Sequence, residues 1–249
     1  MKVLSFFAHP DDETMFCGGT LAYLARRGAR VHYLSATRGE GGESGCPPLC
    51  TREELGRVRE EELRCAVEAL GGVSLDFLDY IDPLVSPEND LFPFTTDLEQ
   101  LAGELTRKLL SLQPDVVITH GPRGEYGHPA HIIAHRGMAA AVQNLDCSPP
   151  ALYAVFRERD QAQVLPGERV LVPGLILDVS AVREQKIQAA LCHRTQHDLF
   201  LRNGAKRAGR EVTIREVIRA EEALIQIFES SDPGKKGELP RWLEGITRK

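Results

Sequence analysis

No apolar run in the sequence approaches the ~20 residues needed to cross a bilayer. The opening stretch Val3-Leu4-Ser5-Phe6-Phe7-Ala8 stops at His9 and two aspartates, too short for a secretory leader. Both absences predict a cytoplasmic protein. A basic excess is also lacking: 30 lysines and arginines face 36 acids, a net charge of −6, which argues against nucleic acid as a partner. The six cysteines are scattered, which predicts reduced thiols rather than a disulfide framework. Cys46 and Cys50 form the only close pair, and with two prolines between them and no second pair, a zinc knuckle or redox pair is disfavoured. There is no internal repeat, low-complexity linker or compositional break. The 249 residues therefore read as a single domain over 1–230, followed by a polar, loosely ordered tail over 231–249. A chain of this length buries roughly three-quarters of its extended surface without disulfide or metal support.

What is present is an alternation of short apolar runs and amphipathic stretches. That order predicts an α/β fold, a Rossmann-like, mostly parallel sheet with helices on both faces. Strands are expected over about 2–8, 31–35, 75–78, 116–119, 151–156 and 175–179. One helix runs through Gly18–Ala25 and closes at Gly28. Another opens on a Thr51/Glu54 capping box, and a third is capped by Thr95 or Thr96. Further helices are expected from His128 to about Leu145, over about 181–197 and over about 213–229. Three irregular segments, 38–50, 79–94 and 121–127, all follow strands, at the edge where such sheets bind ligands. The first two are expected to set substrate choice.

The turn after the first strand reads Ala8-His9-Pro10-Asp11-Asp12-Glu13. A dinucleotide fold would carry glycines there, which weighs heavily against NAD or FAD, and no Walker A pattern occurs elsewhere to revive a nucleotide site. Imidazole with carboxylate suits zinc and similar divalent ions, and His9 and Asp12 can point to a common centre. The alternative is that the acids only cap the following helix. A second cluster, Gly127-His128-Pro129-Ala130-His131-Ile132-Ile133-Ala134-His135, opens the helix after the fourth strand. If strands one and four are neighbours, both clusters face one crevice and supply three ligands with an open position, the layout of a catalytic metal. His131 with His135 is an alternative metal pair; otherwise His135 packs against the sheet or lies at the surface. His120 can line the pocket, His32 reads as a satisfied strand histidine, and His193 and His197 fall on a late helix.

Together, the strand followed by His-Pro-Asp-Asp-Glu, the later Gly-His-Pro-x-His, Arg59-x-x-Glu62 ahead of Leu70-Gly71, Thr37-Arg38-Gly39-Glu40, and Lys186-x-x-Ala189-x-x-x-His193-Arg194-Thr195-Gln196 resemble the PIG-L/LmbE family of metal-dependent N-deacetylases. The resemblance covers roughly residues 2 to 200. It implies that His9, Asp12 and His131 bind zinc, with Fe2+ or another divalent ion as the alternative. It further implies that Asp11 is the general base and that a protonated His128 stabilises the oxyanion. Arg59 is expected to reach the substrate, the alternative being a surface ion pair with Glu62; Tyr126 and His193 are candidate pocket residues. The implied reaction is removal of an N-acetyl group from a small-molecule N-acetylglucosamine-type sugar or conjugate, and homo-oligomerisation is left open. Family members commonly carry Asp between the two histidines, where this chain has Ala130; either another acid such as Glu125 substitutes, or His128 works less well. Two rivals remain: a non-haem iron oxygenase using the same two histidines and carboxylate, and a non-catalytic member that binds a sugar conjugate.

Overall fold

Val3 and Phe7 point into one hydrophobic core and Leu4 and Phe6 into another, so the first strand, β1 (Lys2–Phe7), is apolar on both faces. That is the pattern of a central parallel strand covered on both sides. In the computed structural model, which describes residues 1–86, 88, 90–146, 148–157 and 171–248, the chain continues through α1 (Asp12–Arg26), β2 (Arg30–Thr37), α2 (Leu55–Ala69), β3 (Ser74–Tyr80), α3 (Leu98–Leu112) and β4 (Val116–Thr119). It then forms the single turn α4 (Gly124–Gly127), α5 (Pro129–Gln143), β5 (Ala151–Val155), β6 (Leu175–Asp178), α6 (Arg183–Cys192), α7 (His197–Ala208), α8 (Ile214–Val217), β7 (Glu221–Phe228) and α9 (Glu238–Leu243).

The strands form one seven-stranded sheet in the order β3-β2-β1-β4-β5-β7-β6. The first five run parallel, and β7 lies antiparallel between β5 and β6. The expected fold class holds. The chain leaves β1 toward β2 and β3 and then returns to the other side of β1 as β4. The gap at the carboxyl ends of β1 and β4 is therefore the topological switch point, where α/β sheets open a crevice. On one face Leu21 and Leu24 of α1 and Leu63 and Val67 of α2 share a core with Leu239 and Leu243 of α9. On the other, α3 and α5 pack through Leu101, Leu105 and Met138.

Several boundaries differ from expectation. The stretch about 213–229, expected as one helix, is the short α8 followed by the strand β7, which the antiparallel partners β5 and β6 recruit. The helix expected over about 181–197 ends at Cys192, where His193 takes non-helical angles, and a separate helix α7 follows. The tail is not loose: α9 buries Leu239 and Leu243, and Ile246 follows them into the core. Asp97, rather than Thr95 or Thr96, caps α3, accepting from the Gln100 N–H. Thr51 and Glu54 do bond to each other, but in a turn ahead of α2. The reduced-thiol expectation fails for one pair: Cys65 on α2 and Cys192 at the end of α6 form a disulfide. Cys17, Cys46 and Cys50 are free, and Cys147 lies outside the described residues.

Candidate metal centre

The β1–β4 pairing brings the two histidine clusters together at one sheet edge. The turn after β1 supplies His9, Asp11 and Asp12; the end of β4 supplies His120; and the start of α5 supplies His128 and His131. Asp11 has a left-handed backbone, φ 115°, and makes no side-chain cap to α1. Helix capping therefore does not account for the acidic run: Asp12 accepts from the His9 N–H (2.9 Å), and Glu13 accepts from the Asp11 N–H (3.2 Å). Strain of this kind in a non-glycine residue concentrates at functional sites.

Asp12 sits at the centre. One carboxylate oxygen lies 3.2 Å from His9 Nδ1 and 3.3 Å from His120 Nε2, and the other lies 3.4 Å from His131 Nε2. Donor atoms of His9, His128 and His131 lie within 4.8 Å of one another, as do those of Asp12, His120 and His131. His131 is common to both groups, and the expected set of His9, Asp12 and His131 draws on both. His135 belongs to neither; its Nδ1–H donates to the His120 carbonyl at 2.7 Å. His32 pairs with Ser74 on β3, and His197 with the Ala190 carbonyl, both away from the centre.

The ring nitrogens can be sorted by their partners. His120 Nε2 accepts from the Ala8 N–H (2.9 Å) and its Nδ1 contacts Glu125 (2.8 Å), so it has no free lone pair for a metal. His128 caps α5, its Nδ1 accepting from the Ala130 N–H at 3.2 Å, so a neutral ring carries its proton on Nε2 and is a donor. Burial, with His9 and His131 beside it, drives the His128 pKa down to about 3. The pull on this ring is thus toward the neutral form rather than the protonated one expected. His131 is different: Nδ1 bonds Glu125 at 2.6 Å, while Nε2, fully buried, has no hydrogen-bond partner. A buried, bare imidazole nitrogen 3.4 Å from a carboxylate fits a divalent cation. In a tetrahedral zinc site with bonds of about 2.0–2.1 Å, donors lie ~3.3 Å apart, close to the 3.2 Å from His9 to one Asp12 oxygen and the 3.4 Å from His131 to the other.

Electrostatics favour a cation here. Burial opposes charge on His9, but Asp82 and Asp12 outweigh it and push its pKa up to about 10. Burial likewise works against ionised Asp12, yet positive charge on His131 and His120, whenever these rings carry it, draws it well below the usual carboxylate range. Asp11 moves the other way: burial lifts it to about 7 although Arg59 pulls it down. Such a carboxyl is matched to proton exchange near neutrality.

Arg59 is buried and bonds the Gly39 and Pro10 carbonyls (2.8 and 2.6 Å) and the Asp11 carboxylate (3.2 Å). A Cβ at Gly39 or Gly42 would strike its guanidinium, which explains these two glycines. Its expected alternative partner, Glu62, instead accepts from the Thr195 N–H and hydroxyl (2.8 and 2.7 Å). His193 is fully buried behind this layer, 3.3 Å from the Thr14 hydroxyl and 3.5 Å from Glu13. Tyr126 is half exposed, its ring edge-on to those of His128 and His131.

Two residues do more at the site than their sequence context suggests. Asp82 bonds His9 Nε2 at 3.1 Å, and the one available signal is an acid just past the third strand. Glu125 does not replace the acid missing at position 130, because it contacts His120 and His131 rather than His128.

The PIG-L family profile, described as GlcNAc-PI de-N-acetylase, matches residues 4–142. The chain is 34% identical over 227 residues to the 1D-myo-inositol 2-acetamido-2-deoxy-α-D-glucopyranoside deacetylase of Mycobacterium sp. (strain KMS), covering 78% of this chain and 74% of the relative. The Acidothermus cellulolyticus protein of the same name is 33% identical over 232 residues, covering 78% and 79%. Among solved structures, the N,N'-diacetylchitobiose deacetylase of Pyrococcus horikoshii superposes with a TM-score of 0.62 at 20% identity, covering 91% of this chain and 83% of that one. The 4-carboxy-2-hydroxymuconate hydratase of Pseudomonas putida gives 0.63 at 22% identity, covering 91% and 96%. The shared fold thus hosts more than one chemistry, and function must be argued from the site. By the matched profile and the sequence relatives together, the chain belongs to the PIG-L (GlcNAc-PI de-N-acetylase) family.

Proposed function

We propose that this protein is a metal-dependent hydrolase that removes the N-acetyl group from an N-acetylglucosamine-type sugar or conjugate. The observation that carries the reading is the bare, buried His131 Nε2 facing Asp12, one residue from an Asp11 held near neutrality. His9, Asp12 and His131 would hold the ion, which we take to be zinc. Bound there, a divalent cation makes water acidic enough to ionise near pH 7 and polarises the amide carbonyl.

The remaining work falls to the chain. Asp11, ionised beside Arg59, accepts the proton of the attacking water and returns it to the amine nitrogen as the C–N bond breaks. Arg59 holds Asp11 in its strained turn through the Pro10 carbonyl as well as the carboxylate. His128, with Nδ1 occupied by the α5 N-terminus, presents Nε2–H to the developing oxyanion. Tyr126 is the rim residue placed to cover the sugar, and His193 supports the turn from behind through Thr14 and Glu13. The relatives named for an inositol conjugate of acetamido-deoxyglucose support the substrate class.

The test is acetate release from N-acetylglucosamine, its inositol conjugate and N,N'-diacetylchitobiose by zinc-loaded and chelator-stripped protein. Release from at least one substrate, lost on stripping and restored by zinc, is expected. No release from any of them by fully zinc-loaded protein would overturn the reading.

A further inference from the structure

Glu125 is the most heavily engaged acid at the site that the proposed chemistry leaves without a role. It is buried, and its backbone is left-handed at φ 59°, a conformation disfavoured for any residue with a Cβ. Oε2 contacts His120 Nδ1 at 2.8 Å and His131 Nδ1 at 2.6 Å, and Oε1 accepts from the Gly121 N–H at 2.6 Å. His120 is itself fixed by the Ala8 N–H on its other nitrogen, so it must carry its proton on Nδ1 and donate to Glu125. The rings of His120, His131 and His128 are stacked in a row, with centroids 3.9 and 4.5 Å apart, so orienting one constrains the others.

We propose that Glu125 is a positioning residue. By accepting from His131 Nδ1 it holds that ring in the tautomer whose Nε2 bears a free lone pair, and His120 is the wedge that keeps the carboxylate in place. Asp82, partly buried, stands in the same relation to His9, so both candidate ligand histidines are backed by a carboxylate. Carboxylates behind metal-binding imidazoles raise ligand basicity and fix ring orientation. The proposal rests on the metal reading above.

Glu125→Gln is an informative change because no orientation of the amide works. If its oxygen faces the imidazoles, its NH2 meets the Gly121 N–H; if it is reversed, the NH2 meets two imidazole N–H groups. The experiment is zinc affinity by chelator competition for the wild type, Glu125→Gln and His131→Ala, together with NMR of the imidazole nitrogens in metal-free wild type. Zinc binding about 10- to 100-fold weaker in Glu125→Gln is expected. The signal that disappears in His131→Ala should show a protonated Nδ1 and a bare Nε2. A Glu125→Gln affinity indistinguishable from wild type, or a His131 protonated on Nε2, would overturn the proposal while leaving the metal reading intact. Should Glu125→Gln not fold, the wild-type tautomer alone decides. A wild type that binds no zinc would overturn both.

Discussion

Asp11 and Asp12 are adjacent acids that the fold makes into different reagents. Asp12 is surrounded by imidazoles and stays ionised, whereas Asp11, largely withdrawn from solvent with one guanidinium as its main positive neighbour, is lifted to about 7. On the proposed mechanism Arg59 helps set the pH at which Asp11 can act as base. It lowers the Asp11 pKa, so Arg59→Ala should raise it and move the acid limb of the kcat/KM profile to higher pH. For every pH unit the limb moves, the ionised base present well below it falls about tenfold. Acetate release measured across pH checks this, and an unmoved limb would contradict the role. His9, Asp11, Asp12, His128 and His131 stand out in the sequence because each lies in a dense motif at a strand end or a helix start. Asp82 is not, because a lone acid in an irregular loop looks like any solvated loop residue until the fold brings it to His9.

At the scale of elements, the late segment Lys186–Gln196 is tied to the site by buried polar bonds rather than by apolar packing alone. Glu62 of α2 accepts two bonds from Thr195, and Gln196 donates to the Glu43 carbonyl in the loop after β2 (2.7 Å). Lys186 pairs with Glu222, which also accepts from the Gly19 and Thr20 amides. Glu62→Ala leaves the buried Thr195 donors without a partner and should cost about 1–3 kcal/mol in urea unfolding. An unchanged midpoint would show that water replaces the carboxylate. Glu222 also explains why β7 reads as a helix in the sequence. A glutamate-rich, alanine-containing stretch matches helix composition, and only the buried lysine and amides reveal that Glu222 faces inward beside Leu224. Tertiary pairing overrides local propensity there.

The whole molecule is organised by its switch point. Alternating strands and helices make the parallel sheet legible, and the β1–β4 adjacency that the site requires is present in register from Val3–Val116 to Phe6–Thr119. The Cys65–Cys192 link is not legible, because pairing across 127 residues depends on the packing of α2 against α6. The end of the chain reads as a tail by its polarity, although Leu239, Leu243 and Ile246 fall at helical spacing and fill the core beside Leu21. Removing residues 231–249 takes these three side chains out of the core and should destabilise the fold by roughly 5–9 kcal/mol at ~1.5–3 kcal/mol each. A truncated chain with wild-type thermal stability would show that α9 is dispensable.

The proposed catalysis turns on Asp11 as the proton acceptor beside a cation it does not bind. Asp11→Asn keeps the size of the side chain and removes its basicity. The most direct measurement is acetate release per zinc-bound chain in Asp11→Asn and wild type. A fall of about 10²- to 10⁴-fold with zinc still bound is the predicted result; a zinc-loaded variant that releases acetate at the wild-type rate would contradict it.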